Sequence, residues 1–289
     1  SLPAGAKGAA RTDITYKGSL DRAQVDLSAT MGDVTFHTAG QIQDPLSSPQ
    51  MDNLRVTAQS PRAGNLMRLI SGADSGAAVG AMAQPMNVAA DVDMQKNKLA
   101  LKNIDGTLGG MGVKGDVQAD FGGARPKISG GLNLGDVPLD SLMGVKNAAE
   151  AGNMGGGRAS SLSTSGDKIN TDFMRAADLD FLISARSINY HLWSLTSPSL
   201  AVALSDGRMN IKDLKGGLFG GTFAGGVIAQ APQAGDLLDI ALKGTMKDVN
   251  ARSLTNALMG VQAGKFDGKV GLDVDVRARG ASYATLLQN

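Results

Sequence analysis

The chain has 289 residues, a formal charge of +1 from 28 Lys plus Arg against 27 Asp plus Glu, and no cysteine. That balance gives no general attraction to nucleic acid or anionic membrane surfaces, and the missing cysteines exclude disulfides, thiol redox chemistry and thiolate metal sites. Aromatic residues make up 4%, thin for a base- or sugar-stacking platform, whereas the 39 glycines are about twice the usual share of roughly 7%.

A cysteine-free chain fits an oxidising compartment, where stray thiols are a hazard, but a cytosolic protein can also lack cysteine. No apolar run reaches the roughly 18 residues of a membrane-spanning helix. The best stretch, Val79 to Ala90, is Ala/Gly-rich and broken by Gln84 and Pro85. No signal-peptide pattern opens the chain. The start at Ser1 and the end at "YATLLQN" read as cuts through a longer protein, which would place any signal or anchor outside this sequence.

Taken in chain order, the dominant pattern is alternation. "AQVDLSATMGDVTFHT" (23–38) predicts a hairpin, with Val25 and Leu27 before the turn and Val34 and Phe36 after it. "VDMQKNKLALK" (92–102) predicts another around Lys96-Asn97. "DLDFLISAR" (178–186) sets Leu179, Phe181 and Ile183 against Asp180, Leu182 and Ser184. "SLAVALSDGRMNIK" (199–212) places Leu200, Val202 and Leu204 before an Asp206-Gly207 turn, then Met209 and Ile211 on the return strand. "KVGLDVDVRARG" (269–280) sets Val270, Leu272, Val274 and Val276 against Gly271, Asp273, Asp275 and Arg277. Period-2 patterning with Asp-Gly and Asn turns is the signature of antiparallel strands with one apolar and one wet face.

The chain repeats itself. Residues 99–120 lie over 209–230 with a constant offset of 110, pairing Leu99 with Met209, Leu101 with Ile211, Ile104 with Leu214 and Gly115 with Gly225. After a two-residue slip, 128–144 resembles 240–260, and 54–72 fits that last segment with an offset of 188. Each copy ends in a strand, a polar cap (Ser60, Asp136, Asp248), a short helix and a glycine stop, with Asp136 and Asp248 read as N-caps and Gly144 and Gly260 as C′ glycines. Repeats at this spacing predict stacked units, each burying its face against its neighbours. The expected organisation is a β-rich repeat segment over 1–146, a Gly/Ser-rich linker or loop over 147–171, and a second β-rich segment over 172–289.

Motifs for chemistry are weak. "GMGVKG" (110–115) matches G-x-G-x-x-G, with Asp136 about twenty residues on, but the following "VKGDVQAD" alternates as a strand where a dinucleotide site needs a helix. "GGLFGGT" lacks the Lys of a P-loop. His37 and His191 have no carboxylate or second histidine at ligand spacing along the sequence. Asp91/Asp93 and Asp273/Asp275 share sheet faces and could pose as paired carboxylates, yet stand on the polar sides of alternating strands. No catalytic residue, metal site or cofactor is expected.

What remains is the apolar side of strand after strand. An ordinary closed core is the simplest reading, but no long amphipathic helices are present to cover it. A second sheet, the sheet's own curl, or a ligand must do so. The glycines of "NIKDLKGGLFGGTFAGG" (210–226) then serve to thin and bend a sheet.

Three stretches resemble the AsmA-like family of Gram-negative envelope proteins: residues 178–226, "DIALKGTMKDVNARSLTNALMG" (239–260) and "GKFDGKVGLDVDVRARGASYATLLQN" (264–289). The likeness extends by internal repeat across 34–144. The resemblance implies a periplasmic body tethered by an N-terminal inner-membrane helix outside this sequence, a long β-groove, and a role in moving phospholipid toward the outer membrane or keeping that membrane in order. The expected fold is mainly β: an elongated, curved, mostly antiparallel repeat sheet forming a groove, with a few short helices. The expected groove lining is Leu99, Leu101, Leu132, Leu134, Leu179, Phe181, Ile183, Leu200, Val202, Leu204, Met209, Ile211, Ile240, Leu242, Val270, Leu272, Val274 and Val276. Phospholipid or another acyl lipid is the expected partner, together with envelope proteins of either membrane, and no nucleic acid. Two rival readings stay open: a closed β-sandwich or β-solenoid scaffold, and an enzyme acting on polysaccharide through the Asp pairs.

Overall fold

The computed structural model describes residues 10–18, 22–43, 50–65, 83–142, 171, 173–231, 237–259 and 267–281. They form fourteen strands: β1 (Ala10–Gly18), β2 (Arg22–Met31), β3 (Val34–Gln43), β4 (Gln50–Ser60), β5 (Met86–Gln95), β6 (Lys98–Leu108), β7 (Met111–Asp120), β8 (Lys127–Pro138), β9 (Asp178–Tyr190), β10 (Trp193–Ser205), β11 (Arg208–Leu218), β12 (Gly221–Gln230), β13 (Leu238–Asn250) and β14 (Lys269–Gly280). Three short helices accompany them: α1 (Leu139–Leu142), α2 (Phe173–Ala176) and α3 (Ala251–Met259). Strand order in the sheet is chain order. The protein is therefore mainly β with few short helices, an open antiparallel meander, as the alternation predicts. The chain divides into two compact units, one of residues 1–123, 130–135 and 141–144, the other of 124–129, 136–140 and 145–289. Of the predicted linker over 147–171 all but Thr171, and with it the glycine stops Gly72, Gly144 and Gly260, lie outside the described residues.

The hairpins turn where Asp, Asn and Gly allow it. Lys96 (φ 49°), Asp206 (φ 51°) with Gly207 (φ 74°), Gly109 (φ 61°) with Gly110 (φ 81°), and Phe219 (φ 49°) with Gly220 (φ 74°) all take the left-handed backbone that two-residue hairpin loops need. The G-x-G-x-x-G match thus begins in a hairpin turn and runs into β7, with no helix to hold a pyrophosphate.

The 110-residue repeat is visible down to single bulges. Asn103 (φ 50°) and Asp213 (φ 52°) occupy equivalent positions, and pairing slips there, between Leu101 and Ile104 and between Ile211 and Leu214. Asn and Asp are the non-glycine residues that best tolerate this conformation. A bulge adds one residue to one strand, bends it and reverses which face the following side chains take.

The polar caps need correction. Asp136 lies inside β8 and pairs with Arg186. Asp248 (φ 54°) sits at a bulge in β13, where pairing slips between Met246 and Val249. The residue that caps α3 is Asn250, whose Oδ1 accepts the Ser253 backbone N–H at 2.9 Å. Ser60 does keep a capping role, its Oγ accepting the Arg62 backbone N–H at 3.3 Å and donating to Arg62 O at 2.8 Å just ahead of helical residues 63–65. A bulge displaced the register of the cap by two residues, which no count along the sequence registers.

Close backbone approach explains why Gly221 is glycine. A Cβ on Gly221 would lie 2.2 Å from Lys247 O and 2.5 Å from the backbone of Asp248 and Val249, where β12 meets the β13 bulge. By contrast, a Cβ on Gly131 in β8 meets nothing within 4 Å. Gly221→Ala is expected to cost about 1–3 kcal/mol of stability and Gly131→Ala to stay within about 0.5 kcal/mol of wild type. Urea denaturation midpoints read both, and equal midpoints would contradict the close-approach account.

Candidate functional site

The second unit carries a continuous apolar surface, and registry builds it. Leu179, Leu204, Met209, Ala229 and Ile240 stand opposite one another across β9 to β13. Phe181, Val202, Ile211, Val227, Leu242 and Val276 form the next row, out to β14. Ile183 faces Leu200, and past the β11 bulge that level continues as Leu214, Gly225, Gly244 and Val274. Phe223, Met246 and Leu272 form a further row, and Val270 follows opposite Val249. Directly opposed residues of antiparallel strands share a face. Every residue picked from the sequence in β9 to β14 therefore lies on one side of the sheet. With strands about 4.8 Å apart, six of them make this face about 24 Å across.

Among the described residues, only the margins of this face are covered. At one set of strand ends, Met174 of α2 packs with Leu204, Ala229, Ala231 and Leu238, with Leu179, Met209 and Ile240 around them. At the other, Leu254 of α3 packs with Leu218, Met246 and Val249, with Trp193, Leu195, Phe219, Phe223 and Val270 around them. Of the eighteen predicted lining residues only Leu204 is buried. Leu272 and Val276 are 43% and 50% exposed, and the others are half-buried. The described residues form a single sheet, with no second sheet packed on it. In the first unit, Leu101, Leu132 and Leu134 pack around Ala90, Ile104 and Val113, and Leu99 stands beside them opposite Met94 and Ala119.

Reading the sequence by strict alternation misses several members of the face. Val227 and Phe223 lie in β12, whose glycines mask its period. Leu214 falls on the wet side by simple counting and is returned to the apolar side by the bulge at Asp213. The residues opposite known members, Val92 and Val117, are found only from the registers.

The reverse face is laced with charge pairs. Lys243 reaches Asp275 at 3.0 Å, Thr245 Oγ1 donates to Asp273 at 2.8 Å, and Arg279 reaches Asp239 at 3.1 Å. Arg55 reaches Asp91 at 2.9 Å and Lys102 pairs with Asp93. The two Asp pairs thus hold neighbouring strands. Asn103 Nδ2 donates to Asp91 at 2.8 Å, and this bond, followed by that from Arg55, keeps the Asp91 carboxyl below the usual carboxylate range. The histidines correct one expectation: carboxylates remote in sequence approach both. His37 Nδ1 is 3.7 Å from Asp26, and His191 sits in the β9–β10 turn with Nδ1 3.5 Å from Asp140. Among the described residues no group of His, Cys, Asp or Glu is arranged to hold a metal ion.

Asp136 accepts three hydrogen bonds from β9. Arg186 donates to it twice, at 2.8 and 2.5 Å, and Ser187 Oγ donates at 2.8 Å. The Arg186 bonds, then the Ser187 hydroxyl, lower its pKa. A lowered folded-state pKa stabilises above the ordinary carboxylate value and is lost as pH falls through the folded one. Asp136→Asn should therefore be less stable than wild type at neutral pH, with the difference closing as pH falls below about 3.9. Denaturation over a pH series measures this, and a pH-independent difference would contradict it.

A model of the AsmA family matches residues 15–289. No curated protein and no solved structure matches the chain.

Proposed function

The chain belongs to the AsmA family of envelope-associated proteins, and on that premise we propose that it is a non-enzymatic carrier of phospholipid between the inner and outer membranes. The observation that supports this most is the row Phe181, Val202, Ile211, Val227, Leu242 and Val276. It runs unbroken across six strands and stays half-buried or exposed along its length. A closed scaffold would bury that row against a second layer. Each acyl CH₂ moved from water onto apolar surface contributes about 0.8 kcal/mol, so a two-chain lipid is held with no polar grip on its headgroup.

The proposed arrangement puts acyl chains on the floor between α2 and α3 and leaves headgroups in water. It requires no cofactor and no catalytic group. Among the described residues no helix is long and apolar enough to cross a membrane. A periplasmic position, with anchoring to the inner membrane by a segment outside this sequence and contact with envelope proteins at either membrane, completes the proposal.

Ile211 and its neighbour Lys212 point to opposite faces and test it. Ile211→Asp places a charge on the apolar floor, where an unpaired carboxylate costs several times the tenfold energy of about 1.4 kcal/mol. Phospholipid carried by the purified protein should fall by more than about tenfold in Ile211→Asp and be unchanged in Lys212→Glu, each variant first checked for retained β structure by circular dichroism. Equal lipid content in the two variants would sink the assignment of this face.

A further inference from the structure

The floor has one place where side chains run out. Gly225 and Gly244 stand directly opposite each other between Leu214 and Val274, so that row lacks side chains over two adjacent strands. The Phe223 ring fills the gap. A Cβ on Gly244 would meet the ring at 2.7 Å and one on Gly225 would meet it at 3.0 Å, so the ring lies over both glycines. Phe223 itself packs, with Trp193, Leu195 and Phe219, against the buried Leu218, Met246, Val249 and Leu254 cluster under α3.

The first unit solves the same problem with other residues. The 110-residue offset places Val113 at the position of Phe223 and Gly115 at that of Gly225. A Cβ on Gly115 would approach the backbone of Leu132 at 3.1 Å, which puts Leu132 opposite Gly115 as Gly244 is opposite Gly225. Val113 and Leu132 both belong to the first unit's apolar cluster. One repeat thus uses Val with Leu, and the other Phe with Gly. Bulk has moved from one strand to its neighbour while the level of the floor is kept.

Resting on the lipid-carrying reading above, we propose that Phe223 is the residue that sets how fast lipid leaves the second unit's apolar face. Its ring closes the recess over Gly225 and Gly244, so that acyl chains slide across a level floor. An open recess there would seat a chain terminus or a kink and hold the lipid in place. The floor is built for passage of chains of differing length, and Phe223 keeps it free of an anchoring pocket.

The test is release of a fluorescent phospholipid from the loaded protein to acceptor vesicles of phosphatidylethanolamine and phosphatidylglycerol. Phe223→Val opens the recess, and release should slow about tenfold, the effect of seating about two further CH₂ groups. Gly244→Leu alone should destabilise the protein, because its Cβ meets the ring. The double variant Phe223→Val/Gly244→Leu reproduces the pair of the first unit and should recover both wild-type release and wild-type stability. Release at the wild-type rate from Phe223→Val would overturn the inference. So would a double variant that is no more stable than Gly244→Leu, and this measurement decides even where Phe223→Val does not fold. Wild-type protein that takes up no phospholipid would contradict the lipid-carrying reading instead, leaving the stability coupling of Phe223 and Gly244 as a separate result.

Discussion

Everything in the second unit depends on cross-strand registry. An alternating strand has an apolar side only as wide as one residue, and such a stripe is of little use alone. It becomes a surface when the stripes of successive strands meet level with one another, as Phe181, Val202, Ile211, Val227, Leu242 and Val276 do across β9 to β14. A one-residue slip in any strand would send its stripe to the wet side. The hairpin turns set the starting register, and the salt bridges of the reverse face, Lys243 with Asp275 and Arg279 with Asp239, hold it. These exposed pairs are each worth little in energy. Their placement still penalises the alternative registers, in which like charges or charge and leucine would face each other.

Glycine and the bulge share the task of shaping this surface. Bulges at Asn103, Asp213 and Asp248 bend strands that would otherwise run straight. Gly221 lets β12 come against the bent part of β13. Gly225 and Gly244 remove bulk from the floor, and Phe223 restores it from the side. Gly220, Gly221 and Gly225 of the glycine-rich 210–226 thus each have a structural task, and a phosphate-binding role finds no helix to support it. The short helices then act only at the ends of the strands, where Met174 and Leu254 seal the two margins.

Much of this was legible from the sequence. The strands, the hairpin turns at Asp206-Gly207 and Lys96-Asn97, and the 110-residue repeat follow from period and composition, because each depends on local residue chemistry. The side of the sheet taken by Leu179, Val202, Ile211 and Val274 was also legible, since alternation alone decides it within a strand. Three things were not. Parity after a bulge cannot be counted, so Leu214 was absent from the expected lining and the cap of α3 was read at Asp248 when Asn250 supplies it. Strands rich in glycine hide their apolar members, so Val227 and Phe223 went unnoticed. Contacts made through the sheet, such as Asp140 with His191 or Asp136 with Arg186, join residues some fifty positions apart and leave no local mark.

The central claim is that the half-buried face between α2 and α3 carries lipid in the cell. Photocrosslinking addresses it most directly, with a benzophenone amino acid at Ile211 on the floor and at Lys212 on the reverse face. Phospholipid adducts at Ile211 and none at Lys212 are the predicted result. Crosslinks only to the protein itself at both positions would contradict the account and leave a closed scaffold as the better description.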